Sequence, residues 1–245
     1  MRILGFCLLF FTFIHWGNSQ TEISDFVFGF EAAPAISWIN TDDNRINSNG
    51  PNLGLRIGTR GEFILSENYS LTSGILFSFN QGGQVLYEQG GRLLPNSNLS
   101  EDQYNEALPD NVDIRYKIQF LEIPFGFKMR TNQIGNARFY AHFPEFSFAF
   151  RTGAKANLSG GTQSTYTIDS ENENIKDEVP FFRFKWGVSI GAEYQIGSDT
   201  YLVGGMGYQS NFGDILKGGG TRTDGSKDNS IARVHAIVFQ LGVMF

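Results

Sequence analysis

Phe239-Gln240-Leu241-Gly242-Val243-Met244-Phe245 closes the chain. Phe239, Leu241, Val243 and Phe245 recur at period two, which puts all four on one face of an extended strand. Gln240, Gly242 and Met244 take the other face. Two folds accommodate such a segment. In a soluble sandwich the apolar face is core. In a membrane-spanning barrel it meets lipid, the small and polar face lines the lumen, and the terminal Phe ends the closing strand.

The remaining sequence decides for the barrel. Period-two segments recur near 26–38, 53–65, 69–80, 113–130, 137–152, 181–196, 200–213 and 231–245. The sixth is the clearest. Phe182, Phe184, Trp186, Val188, Ile190, Ala192, Tyr194 and Ile196 form one face, against Arg183, Lys185, Gly187, Ser189, Gly191, Glu193 and Gln195. In the second, Leu53, Leu55, Ile57, Phe63 and Leu65 oppose Gly54, Arg56, Gly58, Arg60 and Glu62. In the first, Phe26, Phe28, Phe30, Ala32, Ile36 and Trp38 oppose Gly29, Glu31, Ala33, Ala35 and Ser37. Strands of this length exceed the usual 5–6 residues of soluble sheets, whereas about 9–11 tilted residues cross a bilayer.

The connections alternate. Ser66-Glu67-Asn68, Thr131 to Asn136 and Gly197-Ser198-Asp199 are short. The polar segments 39–52, 81–112, 156–180 and 214–230 are long. Outer-membrane barrels sort their connections this way, with short periplasmic turns and long extracellular loops. The expected fold is all-β: an eight-stranded antiparallel up-and-down transmembrane barrel with both termini in the periplasm.

Two strands have uncertain phase. In 113–130 the apolar positions are even through Phe120 and odd from Leu121. Either a bulge at Phe120-Leu121 shifts the phase, or the upper half of the strand stands above the membrane; the second is the preferred expectation. In 137–152, Phe146, Phe148 and Phe150 are assigned outward and Glu145, Ser147 and Arg151 inward, with a bulge at Pro144.

The ends and the composition agree. Met1-Arg2, the apolar run Ile3 to Ile14 and the small residues Gly17 and Ser19 read as a secretory signal peptide over 1–19, leaving 20–245 as one barrel domain. The run is shorter than the roughly 20 residues of a spanning helix. The single cysteine, Cys7, falls inside it, so the mature chain holds no thiol and no disulfide. A net charge of −6 argues against a nucleic-acid partner. Trp38, Trp186, Tyr194, Tyr201 and Tyr208 are candidates for interfacial girdles.

The inward set carries Glu31, Arg56, Arg60, Glu62, Glu122, Lys128, Arg151, Arg183, Lys185 and Glu193, joined by Glu145 on the assigned phase. Eight strands enclose a space that side chains can fill, and mixed signs favour a self-compensated plug over a conducting lumen. No catalytic site, cofactor or metal is expected. His142 and His235 lack a nucleophile motif around them. The acidic run Asp169 to Asn174 lacks the glycine turn and terminal glutamate of a calcium loop and reads as a solvated loop. Gly218-Gly219-Gly220 has no lysine at P-loop spacing.

Tyr116-Lys117-Ile118-Gln119-Phe120-Leu121-Glu122-Ile123-Pro124-Phe125-Gly126-Phe127-Lys128 resembles the Y-x-x-x-x-L-E-I-P-x-x-x-K core of the PorT-like outer-membrane β-barrel family of Bacteroidota. That resemblance implies an outer-membrane barrel of a Gram-negative bacterium. It carries an accessory role in a gliding-associated secretion system as one alternative; an outer-membrane hydrolase is a weaker one. The expected role is structural or interaction-based, through the extracellular loops. Loop 81–112, with Tyr87, Leu93, Leu94 and Tyr104, is the expected protein-partner surface. The other expected partners are outer-membrane lipid and, during insertion, the barrel-assembly machinery, which would read Phe239, Leu241, Val243 and Phe245 as its signal.

Overall fold

A computed structural model describes residues 26–161 and 168–245. The proposed signal peptide lies outside the described residues. Eight long strands form a closed ring: β1 (Phe26–Thr41), β2 (Ile46–Ser66), β3 (Tyr69–Tyr87), β5 (Val112–Arg130), β6 (Ala137–Gly160), β8 (Phe182–Gln195), β9 (Tyr201–Asn211) and β11 (Ala232–Met244). Each pairs antiparallel with its neighbours, β5 pairs β6, and β1 pairs β11 to close the circle. Five shorter elements lie between them among the described residues: β4 (Gly91–Arg92), helix α1 (Asp102–Glu106), β7 (Ile168–Asn174), a 3-10 turn (Lys176–Glu178) and β10 (Thr221–Arg222).

The closing seam is the C-terminal stretch. Ala32 opposes Leu241 and Phe30 opposes Val243. Past the last strand residue, Phe28 and Phe245 exchange backbone hydrogen bonds of 3.0 and 2.8 Å. The Phe245 ring lies 6.2 Å from that of Phe30. Closure leaves no free sheet edge, a requirement for backbone in hydrocarbon.

The exterior is an apolar belt. Phe30, Leu55, Ile57, Leu71, Ile75, Phe77, Ile190, Met206, Phe239 and Leu241 are all exposed. Such a surface is stable only against lipid. One stretch near the upper edge is aromatic throughout: Trp38 stacks on His235, His235 on Tyr208, and Tyr208 meets Trp186 edge-on. Phe184 on β8, Phe212 just past the end of β9, Phe146 on β6 and Phe125 on β5 continue it. Tyr194 is exposed beside the short turn between β8 and β9, at the opposite end from Trp38.

The strands do not all stop at the membrane. β5 keeps one phase throughout: Val112, Ile114, Tyr116, Ile118, Phe120, Glu122 and Lys128 are buried. Its upper half stands above the belt, as preferred from the sequence, with Asp113, Arg115, Lys117 and Gln119 outward. The bulges lie instead on the two neighbours. β3 shifts register between Ser78 and Gln81 opposite Phe120 and Ile118, with Asn80 at a φ of 55°. β6 shifts between Arg151 and Gly153, opposite Phe120 and Gln119. A second shift on β6, between His142 and Glu145, falls at Pro144 and leaves Glu145, Ser147 and Arg151 inward, as assigned.

The extracellular connections are therefore shorter than the sequence suggested. Segment 39–52 is mostly strand, with only a four-residue turn between Thr41 and Ile46. β3 runs on to Tyr87 and β6 to Gly160, and β7 pairs with the raised part of β6. The acidic run 169–174 is part of β7 rather than a solvated loop. The reason is a reversal of pattern. Above the membrane the exterior is wet and the interior apolar, so these strands alternate with polar residues outward.

Candidate functional site: a charged lumen beneath a folded lid

Two regions fill the barrel. The lower is polar. At the periplasmic end Lys128 forms ion pairs with Glu62 and Glu193, and its ammonium sits 4.5 Å from the centroid of the Tyr140 ring. Arg130 pairs with Glu62 and, through Nε at 2.8 Å, with Glu193. One level up, Arg60 donates to Glu31 at 2.6 Å and Glu145 at 3.3 Å. The Tyr140 hydroxyl donates to Gln240 at 3.1 Å. These carboxylates and cations interlock across β1, β2, β5, β6 and β8, and all are buried except Arg130, whose side chain is only 6% exposed.

The next level is organised on Glu122, which has no exposed surface. Its carboxylate accepts from Arg56 at 3.3 Å, Lys185 at 2.5 Å and the Ser78 hydroxyl at 2.5 Å. Arg183 and Lys185 lie over the ring of Phe120, at 5.4 and 5.0 Å from its centroid. Phe120 is the floor of the second region.

That region is apolar. Ile39, Ile46, Val85 and Tyr87 from the raised strands, and Ile114, Tyr116, Ile118, Ala154, Ala156 and Leu158 opposite, pack against side chains contributed by the connections. Leu93, Leu94, Leu99, Tyr104, Leu108, Ile168, Ile175, Val179 and Ile215 fill its top. Tyr87, Leu93, Leu94 and Tyr104, expected at a partner-binding surface, are 4–7% exposed and belong to this core. They were misassigned because apolar residues isolated in a polar stretch look accessible until their distant packing partners are known.

Polar latches hold the lid shut. Glu178 accepts the Asn96 backbone and side-chain amides at 2.6 and 2.9 Å. Glu173 accepts the Ser100 amide at 2.9 Å and both the Ser100 and Ser170 hydroxyls. β4 pairs with β10, and Arg222 bridges Asp43 at 2.5 Å and Asp228 at 3.0 Å. Asp43 also receives Arg45, and chiefly through that hydrogen bond its carboxyl is held down to about 2. Burial pushes the Asp214 carboxyl up, against hydrogen bonds from the Leu216 and Ala232 amides. Burial likewise raises the Tyr87 hydroxyl, which meets that of Tyr116 at 2.9 Å.

Eight of the ten sequence-predicted lumen charges thus meet in carboxylate–cation contacts: Glu31, Arg56, Arg60, Glu62, Glu122, Lys128, Lys185 and Glu193. Arg151 and Arg183 do not. Arg183 donates to the Ile215 carbonyl, and neither guanidinium has a carboxylate within ion-pair distance among the described residues. Arg130 was missed, although its place two residues after Lys128 on one strand face was a readable signal.

His142 is buried in the lumen, with Nδ1 3.0 Å from the Ser189 hydroxyl and 3.7 Å from Glu145. Both partners approach the same ring nitrogen. In a hydrolytic triad the nucleophile and the orienting carboxylate bond opposite nitrogens. His235 lies in the aromatic stretch outside the barrel, its Nδ1 2.6 Å from the Tyr208 hydroxyl.

A ring of eight strands, apolar outside, charged within and capped at one end, defines an integral outer-membrane β-barrel. The chain belongs to the outer membrane protein β-barrel domain family, which it matches over residues 18–217. That family places it in the outer membrane of a Gram-negative bacterium. Among solved structures it is similar to Neisserial surface protein A, at 12% identity and a TM-score of 0.45, covering 89% of this chain and 95% of that one. It is also similar to OprG from Pseudomonas aeruginosa, at 10% identity and a TM-score of 0.43, covering 89% and 93%. Ail, the attachment invasion locus protein of Yersinia pestis, aligns at 13% identity and a TM-score of 0.35, covering 89% and 98%. No curated protein matches the chain.

Proposed function

We propose that this protein is a non-conducting platform that presents a folded extracellular lid to a protein partner. The observation that carries this is the lid's own apolar core, roofed by Leu93, Leu94, Leu108, Ile168, Ile175 and Ile215 and latched through Glu173 and Glu178. A connection that only had to avoid the membrane would need no core. A packed one holds its outer face in a fixed shape, which lowers the ordering cost of binding. The exposed residues of loop 81–112 are all polar, with four carboxylates, Glu88, Glu101, Asp102 and Glu106, against one cation, Arg92. The partner chemistry it fits is a basic protein surface.

The interior supports absence of conduction, since both the charged layers and the apolar core block the axis. No catalysis enters this reading. Outer-membrane lipid is the partner of the apolar belt, and export by a signal peptide at 1–19 delivers the chain.

A photo-crosslinking residue at Asp102 on intact cells tests the proposal. Discrete protein adducts are expected there and not from the same residue at Asn132 in a periplasmic turn. Absence of adducts at Asp102 would sink it. The resemblance of 116–128 to the PorT-like family supports a second reading, an accessory subunit of a gliding-associated secretion system. Co-purification of secretion components from detergent-solubilised membranes would favour that reading, and their absence would end it.

A further inference from the structure

The two charged levels of the lumen differ in balance. Around Arg60, Lys128 and Arg130 stand four carboxylates, Glu31, Glu62, Glu145 and Glu193. Around Glu122 stand Arg56 and Lys185, with Arg183 beside Lys185 over the same phenyl ring. Arg151 belongs to this level too. It is one inward step above Ala149, which opposes Arg183, and its amide donates to the Phe181 carbonyl at 2.8 Å. Of these four cations, Arg56 and Lys185 pair with Glu122, and Arg151 and Arg183 have no carboxylate within ion-pair distance among the described residues. Asp214 is not within ion-pair distance of Arg183, and one of its oxygens is already taken by the Leu216 and Ala232 amides at 3.0 and 3.1 Å.

The donors show the same deficit. Nε and Nη1 of Arg56, of Arg151 and of Arg183 are all buried without a hydrogen-bond partner among the described residues. Arg183 is 5% exposed and Arg56 1%. A buried guanidinium keeps its charge at any accessible pH and therefore requires an anion or water against it. Planar forks of this kind bind tetrahedral oxyanions through paired N–H donors.

β6 changes partner at this height. It is bonded to the β8 side as far as Arg151, whose amide reaches the Phe181 carbonyl, and takes β7 from Lys155 onward, with the Ile175 amide donating to the Ala154 carbonyl between them. Arg151, only partly buried, stands at the edge of that change. Outside it, at the upper edge of the lipid belt, Phe181 and Phe182 are 62% and 48% exposed.

We propose that Arg151 and Arg183, supported by Lys185, form a phosphate-binding site that opens through the seam between β6 and β8. The ligand chemistry is a phosphate dianion. It is either free inorganic phosphate or a phosphoryl lipid headgroup whose chains rest on Phe181 and Phe182. The site does not depend on lid presentation: loss of a lid partner would leave it intact, and loss of phosphate binding would leave the lid intact.

The full chain folded in a phosphate-free, uncharged maltoside detergent is titrated with two probes, inorganic phosphate and short-chain phosphatidic acid. Sodium chloride of matched ionic strength is the control. Thermal unfolding and the phosphorus-31 linewidth of each probe are recorded. A raised unfolding temperature and a broadened probe signal are expected with phosphatidic acid, and with inorganic phosphate too if the free ion suffices. R151Q and R183Q should each need at least about tenfold more probe for the same shift, the usual size of one lost charged contact. R151M, which removes the charge but keeps the aliphatic bulk, serves if a glutamine variant fails to fold. No broadening of either probe by the unmutated protein overturns the proposal, as does an undiminished response in R183Q and R151M.

Discussion

Phe120 and Glu122 are consecutive inward side chains of one unbroken strand, and the interior changes from hydrocarbon to ion pairs between them. Phe120 closes the apolar lid core from below, and Glu122 accepts Arg56, Lys185 and Ser78. The bulges on β3 and β6 fall at the same height, opposite Phe120. There the neighbouring strands change which residues face inward, while β5 does not.

Removing Glu122 should be severe. Glu122→Ala strips two buried cations of their one shared carboxylate, and breaking such an arrangement costs about 3–5 kcal/mol. Urea unfolding in detergent micelles measures it. A loss below about 1 kcal/mol, the range of an exposed pair, would mean that water reaches this level freely.

The lid should fail separately from the barrel. Leu108 is fully buried among loop residues, so Leu108→Ala leaves a void worth about 2–5 kcal/mol in the lid core. Limited proteolysis of folded protein should then cut within 88–111. The heat-modifiable band shift that reports the barrel should persist, because no strand pairing is touched. Loss of both together would show that lid and barrel fold as one unit.

Much of the architecture was legible. The lipid face of every strand, from Phe26 to Phe245, alternates against small or charged residues, and lipid contact makes that contrast strong. What escaped was the part above the membrane. Residues 81–87 and 156–160 carry apolar side chains inward between mostly polar ones, and 46–52 has Ile46 as its one buried apolar residue, so all three read as loops. Leu93 and Tyr104 read as surface because their partners Ile168, Ile175 and Ile215 lie far along the chain. Arg151 and Arg183 were expected in a balanced network on phase alone; phase fixes which way a side chain points and says nothing about which carboxylates reach it.

Acid should loosen one latch of the lid. The Asp43 carboxyl ordinarily titrates near 3.8 and is held to about 2 by Arg45 and Arg222. A group depressed on folding contributes stability above its unfolded value and loses it as pH falls through its folded value. Protease sensitivity of the lid should therefore rise between pH 4 and pH 2. Asp214, whose carboxyl is raised by burial, works in the opposite direction. Comparison with Asp43→Asn isolates the latch: the variant should be more sensitive at neutral pH and lose little more on acidification. Identical acid profiles would remove Asp43 from this role.

Close approach inside so narrow a barrel makes Gly205 intolerant of a side chain. A Cβ there would come within 2.3 Å of the Tyr140 hydroxyl and 2.8 Å of the Ile190 carbonyl. Gly205→Ala should cost about 1–3 kcal/mol by overpacking. Tyr140→Phe in the same chain relieves the first clash and leaves the second, so it should restore part of that loss. Additive losses in the double variant, read by urea unfolding, would show that the Tyr140 ring moves aside.

The closing strand has a role to test beyond packing. Phe245 is half exposed on the lipid side, and its ring meets those of Phe28 and Phe30 at 6.5 and 6.2 Å. Those contacts are peripheral to the barrel, and its backbone exchange with Phe28 is the last rung of the seam. Deleting Phe245 should therefore lower folding yield in detergent only slightly. We propose that the barrel-assembly machinery captures this strand before the ring closes and reads Phe245 as part of an insertion signal. The deletion should thus sharply reduce the heat-modifiable protein recovered from outer membranes. An equal loss in both assays would reduce Phe245 to a packing residue, and no loss in either would remove the C-terminal face Phe239, Leu241, Val243 and Phe245 as an insertion signal.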